Sequence, residues 1–132
     1  METQFFTGYF ARVNQYKAMG LDCVCIARYA PKFFNGPVET ALAPQPGLLH
    51  AYKSNLVNTD EYTDIYLKDI ANVDVQAILD RWVKTLQPKK GIVLLCYEKS
   101  SDFCHRHILA KYCNDKFGMN IREVDLGQPI TG

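Results

Sequence analysis

The sequence predicts a three-layer α/β domain with a mostly parallel sheet of about four strands. Three observations carry this. The runs "LDCVCIA" and "GIVLLCY" are apolar without alternation, as strands covered on both faces are. Stretches with apolar residues at helical spacing lie between and after them, clearest in "VDVQAILDRWVKTL". Strand-like and helix-like segments alternate along most of the chain, which is the pattern of a layered α/β fold. A length of 132 residues is enough for one such domain, residues 1–132, with a buried core.

The elements follow in order. "TQFFTGYF" is aromatic and β-prone, a first strand near residues 4–8. "RVNQYKAMG" reads as a short helix stopped by Gly20. "LDCVCIA" is the second strand, near 21–27, and Pro31, Gly36 and Pro37 break the structure after it. Pro44 and Pro46 prolong the irregular part. A helical excursion then spans about residues 38 to 88. It contains "GLLHAYKSNL", then "TDEYTDIYLKDIA", which Thr59 or Asp60 can cap. In "VDVQAILDRWVKTL", Val75, Ile78, Leu79, Trp82, Val83 and Leu86 form one apolar stripe. "GIVLLCY" is the third strand, near 91–97. "FCHRHILAKYCNDKFG" is a helix ending at Gly118, and "NIREVDL" is a last strand near 121–126. The strands are expected to run parallel.

Composition narrows the function. Hydrophobic residues at 48% and charged residues at 22% are ordinary globular values, and no apolar run approaches the roughly 20 residues of a membrane helix. The start lacks a basic region ahead of a long apolar stretch, so no signal peptide is expected. A net charge of +1 does not indicate strong non-specific binding to nucleic acid. Lys84, Lys89, Lys90, Lys99, Arg106, Lys111 and Lys116 leave room for a local basic face. Five cysteines without framework spacing suggest free thiols and a reducing cytoplasm. There is no Cys-x-x-Cys pair. The Cys-x5-Arg loop of phosphatases and sulfurtransferases also fails, because Asp102 stands six residues beyond Cys96 and Ala110 six beyond Cys104.

One stretch concentrates chemistry. "LLCYEKSSDFCHRHIL" places Cys96, Glu98, Cys104, His105 and Arg106 within eleven residues. Ligands of parallel sheets bind at the carboxyl ends of strands, and three such ends carry unusual groups: Gly8-Tyr9, Arg28-Tyr29 and Cys96-Tyr97-Glu98. If the strands are neighbours, Arg28 and Arg106 can approach one another. Ser100, Ser101 or Asp102 can cap the following helix, with Cys104, His105 and Arg106 in its first turn. Free N–H groups at that terminus and two arginines suit a phosphate or carboxylate. The structural counterpart is that Arg28 or Arg106 pairs with Glu98 and holds the loop.

Cys104 beside His105 is placed for a lowered thiol pKa, although Cys is equally a small buried hydrophobe. Glu98 or His105 can move a proton. The catalytic candidates are therefore Glu98, Cys104 and His105, and the ligand-binding candidates are Arg28, Tyr29 and Arg106. Tyr9, Tyr29 and Phe33 can stack on a base or simply pack, and His50 can serve as a lid residue or as solvated surface. Cys23, Cys25 and Cys113 are expected in the core. Cys96, Cys104, His105 and His107 are zinc-ligand types, but the Cys-x7-Cys spacing is poor, so no metal is assigned. No Walker or Rossmann glycine loop is present, so no cofactor is assigned.

Three function classes stand open: an enzyme acting on a nucleotide or other phosphorylated substrate, a non-catalytic binder of nucleotide or nucleic acid, and a structural zinc or interaction domain. The expected partner is a small anionic ligand or nucleotide, with nucleic acid as a second class and no membrane.

The pattern "LLCYEK" followed by "CHR" resembles the DUF family numbered 488, a domain of unknown function. "TGYFA", "IARYAP", "LAP" and "EYTDIY" share the resemblance, which covers most of the chain. It implies a small α/β fold and no settled activity. The Gly-His-Ser-like turn of many members is Gly8-Tyr9-Phe10 here, so no role for that His or Ser carries over.

Overall fold

The computed structural model describes residues 2–127. Four strands form one sheet: β1 (Phe5–Tyr9), β2 (Asp22–Cys25), β3 (Ile92–Cys96) and β4 (Arg122–Glu123). Their order is β2-β3-β1-β4 and every pairing is parallel. Five α-helices accompany them: α1 (Val13–Ala18), α2 (Pro46–Lys53), α3 (Thr59–Ala71), α4 (Val75–Leu86) and α5 (His105–Phe117). The α/β fold with a parallel sheet is as expected from the sequence.

The unbroken apolar character of β3 has a direct cause. Ile92, Leu94 and Cys96 join one core cluster, while Val93 and Leu95 join another. Both faces of the sheet are thus covered, and a strand in that position has no solvent side to carry polar residues. The first cluster packs under α2, α3, α4 and α5, with Tyr66, Ile70, Leu79 and Leu109 at its centre. The second packs under α1 through Val13 and Tyr16, with Phe10 and Phe34 beside them. Cys23 and Cys25 belong to this second cluster and Cys113 to the first, all buried as expected.

Two glycines are dictated by close approach. A Cβ on Gly8 would sit 2.7 Å from the Tyr16 ring. Gly91 has φ +142°, and its Cβ would meet the Gln4 carbonyl oxygen at 2.6 Å. Helix starts differ from the sequence reading in two places. The cap of α3 is Asn58, which forms a reciprocal capping box with Glu61, rather than Thr59 or Asp60. The N-cap position of α5 is Cys104, in extended conformation, so Ser100, Ser101 and Asp102 all lie before it. Only His105 and Arg106 then open the helix. Helices α4 and α5 close at left-handed residues, Gln87 and Gly118.

The chain leaves β1 toward the α1 face and β3 toward the α5 face, although β1 and β3 are neighbours. That divergence opens a crevice at their carboxyl ends. Here it is filled. Arg106 sits below the Tyr9 ring, 5.9 Å from its centroid, and Tyr97 packs against Phe10 at 5.0 Å. The open cleft lies one strand over, beyond β2 and β3 and beneath α2. No helix of the described residues is long and apolar enough to cross a membrane.

Candidate functional site

The cleft has a volume of about 460 Å³ and is lined by three separate segments. Ala27, Arg28 and Tyr29 follow β2. Pro44, Leu49, Tyr52, Lys53 and Tyr62 come from the excursion. Cys96, Tyr97, Glu98, Phe103, Cys104 and His105 follow β3. Parallel pairing of β2 with β3, Cys25 opposite Leu95, brings the first and third segments together. The backbone N–H of Ile26 then donates to the Leu95 carbonyl at 3.0 Å and extends that ladder to the cleft floor.

His105 is the pivot of the floor. Its Nε2 lies 2.7 Å from the Ile26 carbonyl oxygen. A carbonyl can only accept, so Nε2 carries a proton there and Nδ1 is the free position. Nδ1 lies 3.8 Å from the Cys104 sulfur, and Tyr66 packs its ring against the imidazole at 5.5 Å. Tyr66 is itself fixed by its hydroxyl, which donates to the Leu42 carbonyl at 2.7 Å. The imidazole is therefore oriented by backbone and by packing.

The two sulfurs of the floor behave differently. Burial holds the Cys96 thiol well above its ordinary range, and the adjacent Cys104 pushes it further. Cys104 is lowered: the adjacent Cys96 thiol favours its thiolate most, burial opposes, and His105 and the Arg106 backbone N–H add to the lowering. Glu98 moves the other way. Desolvation by the surrounding walls raises its carboxyl first, and the Cys104 sulfur raises it further. A thiol driven toward its anion thus stands beside a carboxyl driven toward its acid form.

Of the ligand-binding candidates, Arg28 and Tyr29 line the cleft and Arg106 does not. Arg28 donates from Nε to the Pro44 carbonyl at 3.0 Å, which sets the plane of its guanidinium. Arg106 is completely buried. Its Nε and Nη2 donate to the two oxygens of Glu123, at 3.1 and 2.9 Å. Thr7 and Ser100 donate to the same carboxylate at 2.6 and 2.7 Å. The carboxylate that fixes the loop is therefore Glu123 of β4, where the sequence had pointed to Glu98. The two arginines do not converge on one ligand position. Tyr9 lines a separate hollow with Arg12, Ser100 and Glu123.

Among the described residues, Cys96, Cys104 and His105 offer three metal-ligand atoms within 4.8 Å of one another. The Cys96 sulfur is nearly equidistant from the two ring nitrogens, 3.8 Å from Nδ1 and 3.4 Å from Nε2. It therefore sits beside the ring and not in line with the Nδ1 lone pair. An ion shared by all three would require the ring to turn and release Ile26. His107 is elsewhere, in the groove between α3 and α5, with Nε2 buried and unpartnered. His50 is exposed, and α2 turns Leu49, Tyr52 and Lys53 to the cleft in its place.

Sequence reasoning missed Tyr52, Lys53, Tyr62 and Phe103. Leu49, Tyr52 and Lys53 stand at i, i+3 and i+4, the spacing of one helix face, and that pattern was the available signal. Tyr52, Tyr62 and Phe103 meet pairwise at 5.1–5.3 Å and form an aromatic wall.

A family model described as the active DUF488-N3 subclade matches residues 13–116, which is most of the chain. The chain belongs to the DUF488 family. The matched span includes every residue of the cleft, from Ala27 to His105. In this DUF488 domain β1, β4 and Glu123 lie outside that span, and so does all of "TGYFA". No curated protein and no solved structure matches the chain.

Proposed function

We propose that this DUF488 domain is an enzyme that acts on a nucleotide or another phosphorylated substrate, with Cys104 as nucleophile. The observation that carries the reading is the Ile26–His105–Cys104 relay at the floor of an open cleft. A nucleophile needs a base within reach and a third group that orients the base. Cys104, His105 Nδ1 and the Ile26 carbonyl meet that requirement. The thiol proton passes to Nδ1, giving a thiolate beside an imidazolium. Glu98 in its acid form donates a proton to the leaving group, since opposed pKa shifts mark opposed roles. Arg28 and Lys53 supply positive charge for a phosphate. Tyr29 and the Tyr52–Tyr62–Phe103 wall offer ring faces for a planar group.

Reactivity of Cys104 tests the nucleophile directly. In folded protein at pH 6, iodoacetamide should label Cys104 first, and a nucleoside phosphate should slow that labelling. Incubation with a panel of nucleoside mono-, di- and triphosphates, followed by chromatography, should reveal turnover that Cys104→Ser abolishes. If Cys104 is the slowest of the five cysteines to react, the reading fails.

A non-catalytic nucleic-acid binder draws support from a second observation. Tyr29, Phe33 and Tyr97 are 65%, 63% and 50% exposed. They form one surface, because Phe33 and Tyr97 both pack on Phe10 and the Tyr97 hydroxyl donates to the Tyr29 carbonyl at 2.7 Å. Exposed rings beside cations are a stacking platform for single-stranded bases. Fluorescence anisotropy with a labelled oligonucleotide separates the readings. Tight binding by wild type and by Cys104→Ser, with no turnover, favours the binder.

A further inference from the structure

Cys96 favours the thiolate of the nucleophile but forms no bond in the proposed reaction, and it is fully buried beside Cys104 at the end of the central strand. We propose that Cys96 is a resolving thiol: when hydrogen peroxide oxidises Cys104, Cys96 closes on it to form a reversible Cys96–Cys104 disulfide in the cleft floor. The inference rests on Cys104 being the reactive thiol and adds what happens to it under oxidation.

Geometry supports the pair. The ligand atoms of Cys96, Cys104 and His105 all lie within 4.8 Å of one another, so the two sulfurs are neighbours across the loop of residues 97–103. Bond formation must draw them to about 2.05 Å. Cys104 precedes α5 in extended backbone, and its side chain is not tied by a capping hydrogen bond. The other cysteines are differently placed. Cys23 and Cys25 belong to the core on the α1 side of the sheet, and Cys113 is held inside α5. His105 Nδ1 is 3.8 Å from both sulfurs, so the imidazole stays beside the pair.

The chemistry balances in two steps. The Cys104 thiolate attacks one peroxide oxygen and the O–O bond breaks. Sulfur is oxidised by two electrons to the sulfenic acid, and the other oxygen leaves as hydroxide, which takes a proton to become water. The Cys96 thiol then attacks the Cys104 sulfur and loses its proton. The S–S bond forms, the S–O bond breaks, and the departing hydroxide takes that proton as a second water. Two thiols and one peroxide have become one disulfide and two waters. A dithiol reductant restores both thiols by exchange. Resolution also protects Cys104 from the sulfinic acid, which ordinary reductants do not reverse.

Hydrogen peroxide, added stepwise to the whole protein and followed by blocking with iodoacetamide and tryptic digestion, provides the test. Cleavage after Lys90, Lys99 and Arg106 places Cys96 in Gly91–Lys99 and Cys104 in Ser100–Arg106. The expected product is these two peptides joined, with intact mass lower by about 2 Da and recovered on adding dithiothreitol. In Cys96→Ser the same treatment should carry Cys104 to a gain of about 32 Da that dithiothreitol does not reverse. Cys96→Ala serves the same purpose if the serine variant does not fold. Wild-type protein that gains about 32 Da on Cys104 while Cys96 stays free overturns the resolving role and spares the nucleophile. Protein whose Cys104 resists both peroxide and iodoacetamide while the other thiols react overturns both.

Discussion

At the scale of single residues, environment separates five chemically identical thiols. Burial pushes Cys23 up to about 12 and Cys113 up to about 11, so neither forms thiolate at neutral pH. Cys104 is buried too, with 4% exposure, but a neighbouring S–H and an imidazole outweigh that burial. Its labelling rate should therefore stay nearly flat from pH 8 down to pH 6, where an ordinary thiol loses about tenfold per unit. His105→Asn should restore a steep fall, since the asparagine provides no base. Glu98 is expected to shape the alkaline side of any turnover. Its raised pKa means that the acid form is lost as pH climbs through that value, so the rate should fall there. Glu98→Gln should remove this alkaline limb and lower the rate below it, the two proteins converging as pH rises. A pH profile of the two proteins on one substrate decides the matter.

At the scale of elements, the loop between β3 and α5 depends on a pin from the far edge of the sheet. Glu123 receives Arg106, Thr7 and Ser100, which come from α5, β1 and the loop itself. Burial alone would raise Glu123, but Arg106 and the two hydroxyls outweigh it and hold the carboxyl below its usual range. The linkage sign follows. A carboxyl with a depressed folded pKa contributes its full stability above the unfolded value near ~4.3, and loses it as pH falls through the folded value. Wild type should thus lose melting temperature below about pH 4.3 faster than Glu123→Gln does. Arg106→Ala should cost about 2 kcal/mol, because it leaves the half-buried Glu123 carboxylate without its cation. Urea denaturation at pH 7 measures this, and a loss under about 0.5 kcal/mol would remove the pin from the account. Little of this was legible in the sequence. Arg106 was visible, but its partner is decided by the pairing of Thr7 opposite Glu123, which is a matter of register. The one available signal was Glu123 itself, a carboxylate in the last strand between Ile121 and Val124. The start of α5 was misplaced for a related reason: Ser100 is a good capping residue, but Glu123 uses its hydroxyl elsewhere.

At the scale of the whole molecule, legibility follows the range of the interaction. Apolar runs and helical stripes are local patterns, so the strands, the helices and the parallel sheet could be read directly. The convergence of Arg28, Tyr29, Cys96, Glu98 and Cys104 could be read as well, because the strand-end rule turns parallel order into proximity. The roof could not. Tyr52, Lys53 and Tyr62 reach the cleft only because α2 and α3 fold back over the β2–β3 edge, and nothing local encodes that return.

This division sets the last prediction. A phosphate group bound in the cleft should bridge Arg28 after β2 and Lys53 at the end of α2. Such a ligand stabilises the folded state by RT ln(1 + [L]/Kd), about 2.7 kcal/mol at a hundred times Kd. For a chain of this size that is a rise of roughly 10 °C in Tm. Arg28→Ala should weaken nucleotide binding about 10- to 100-fold, the loss of one charge-assisted bond. Lys53→Ala should weaken it less, because its ammonium is solvated. Hydrogen exchange adds the spatial test: a saturating nucleoside phosphate should slow exchange in Pro46–Lys53 and leave α1, on the opposite face, unchanged. Slowing confined to α1, or a melting shift that survives Arg28→Ala undiminished, would place the anion outside this cleft.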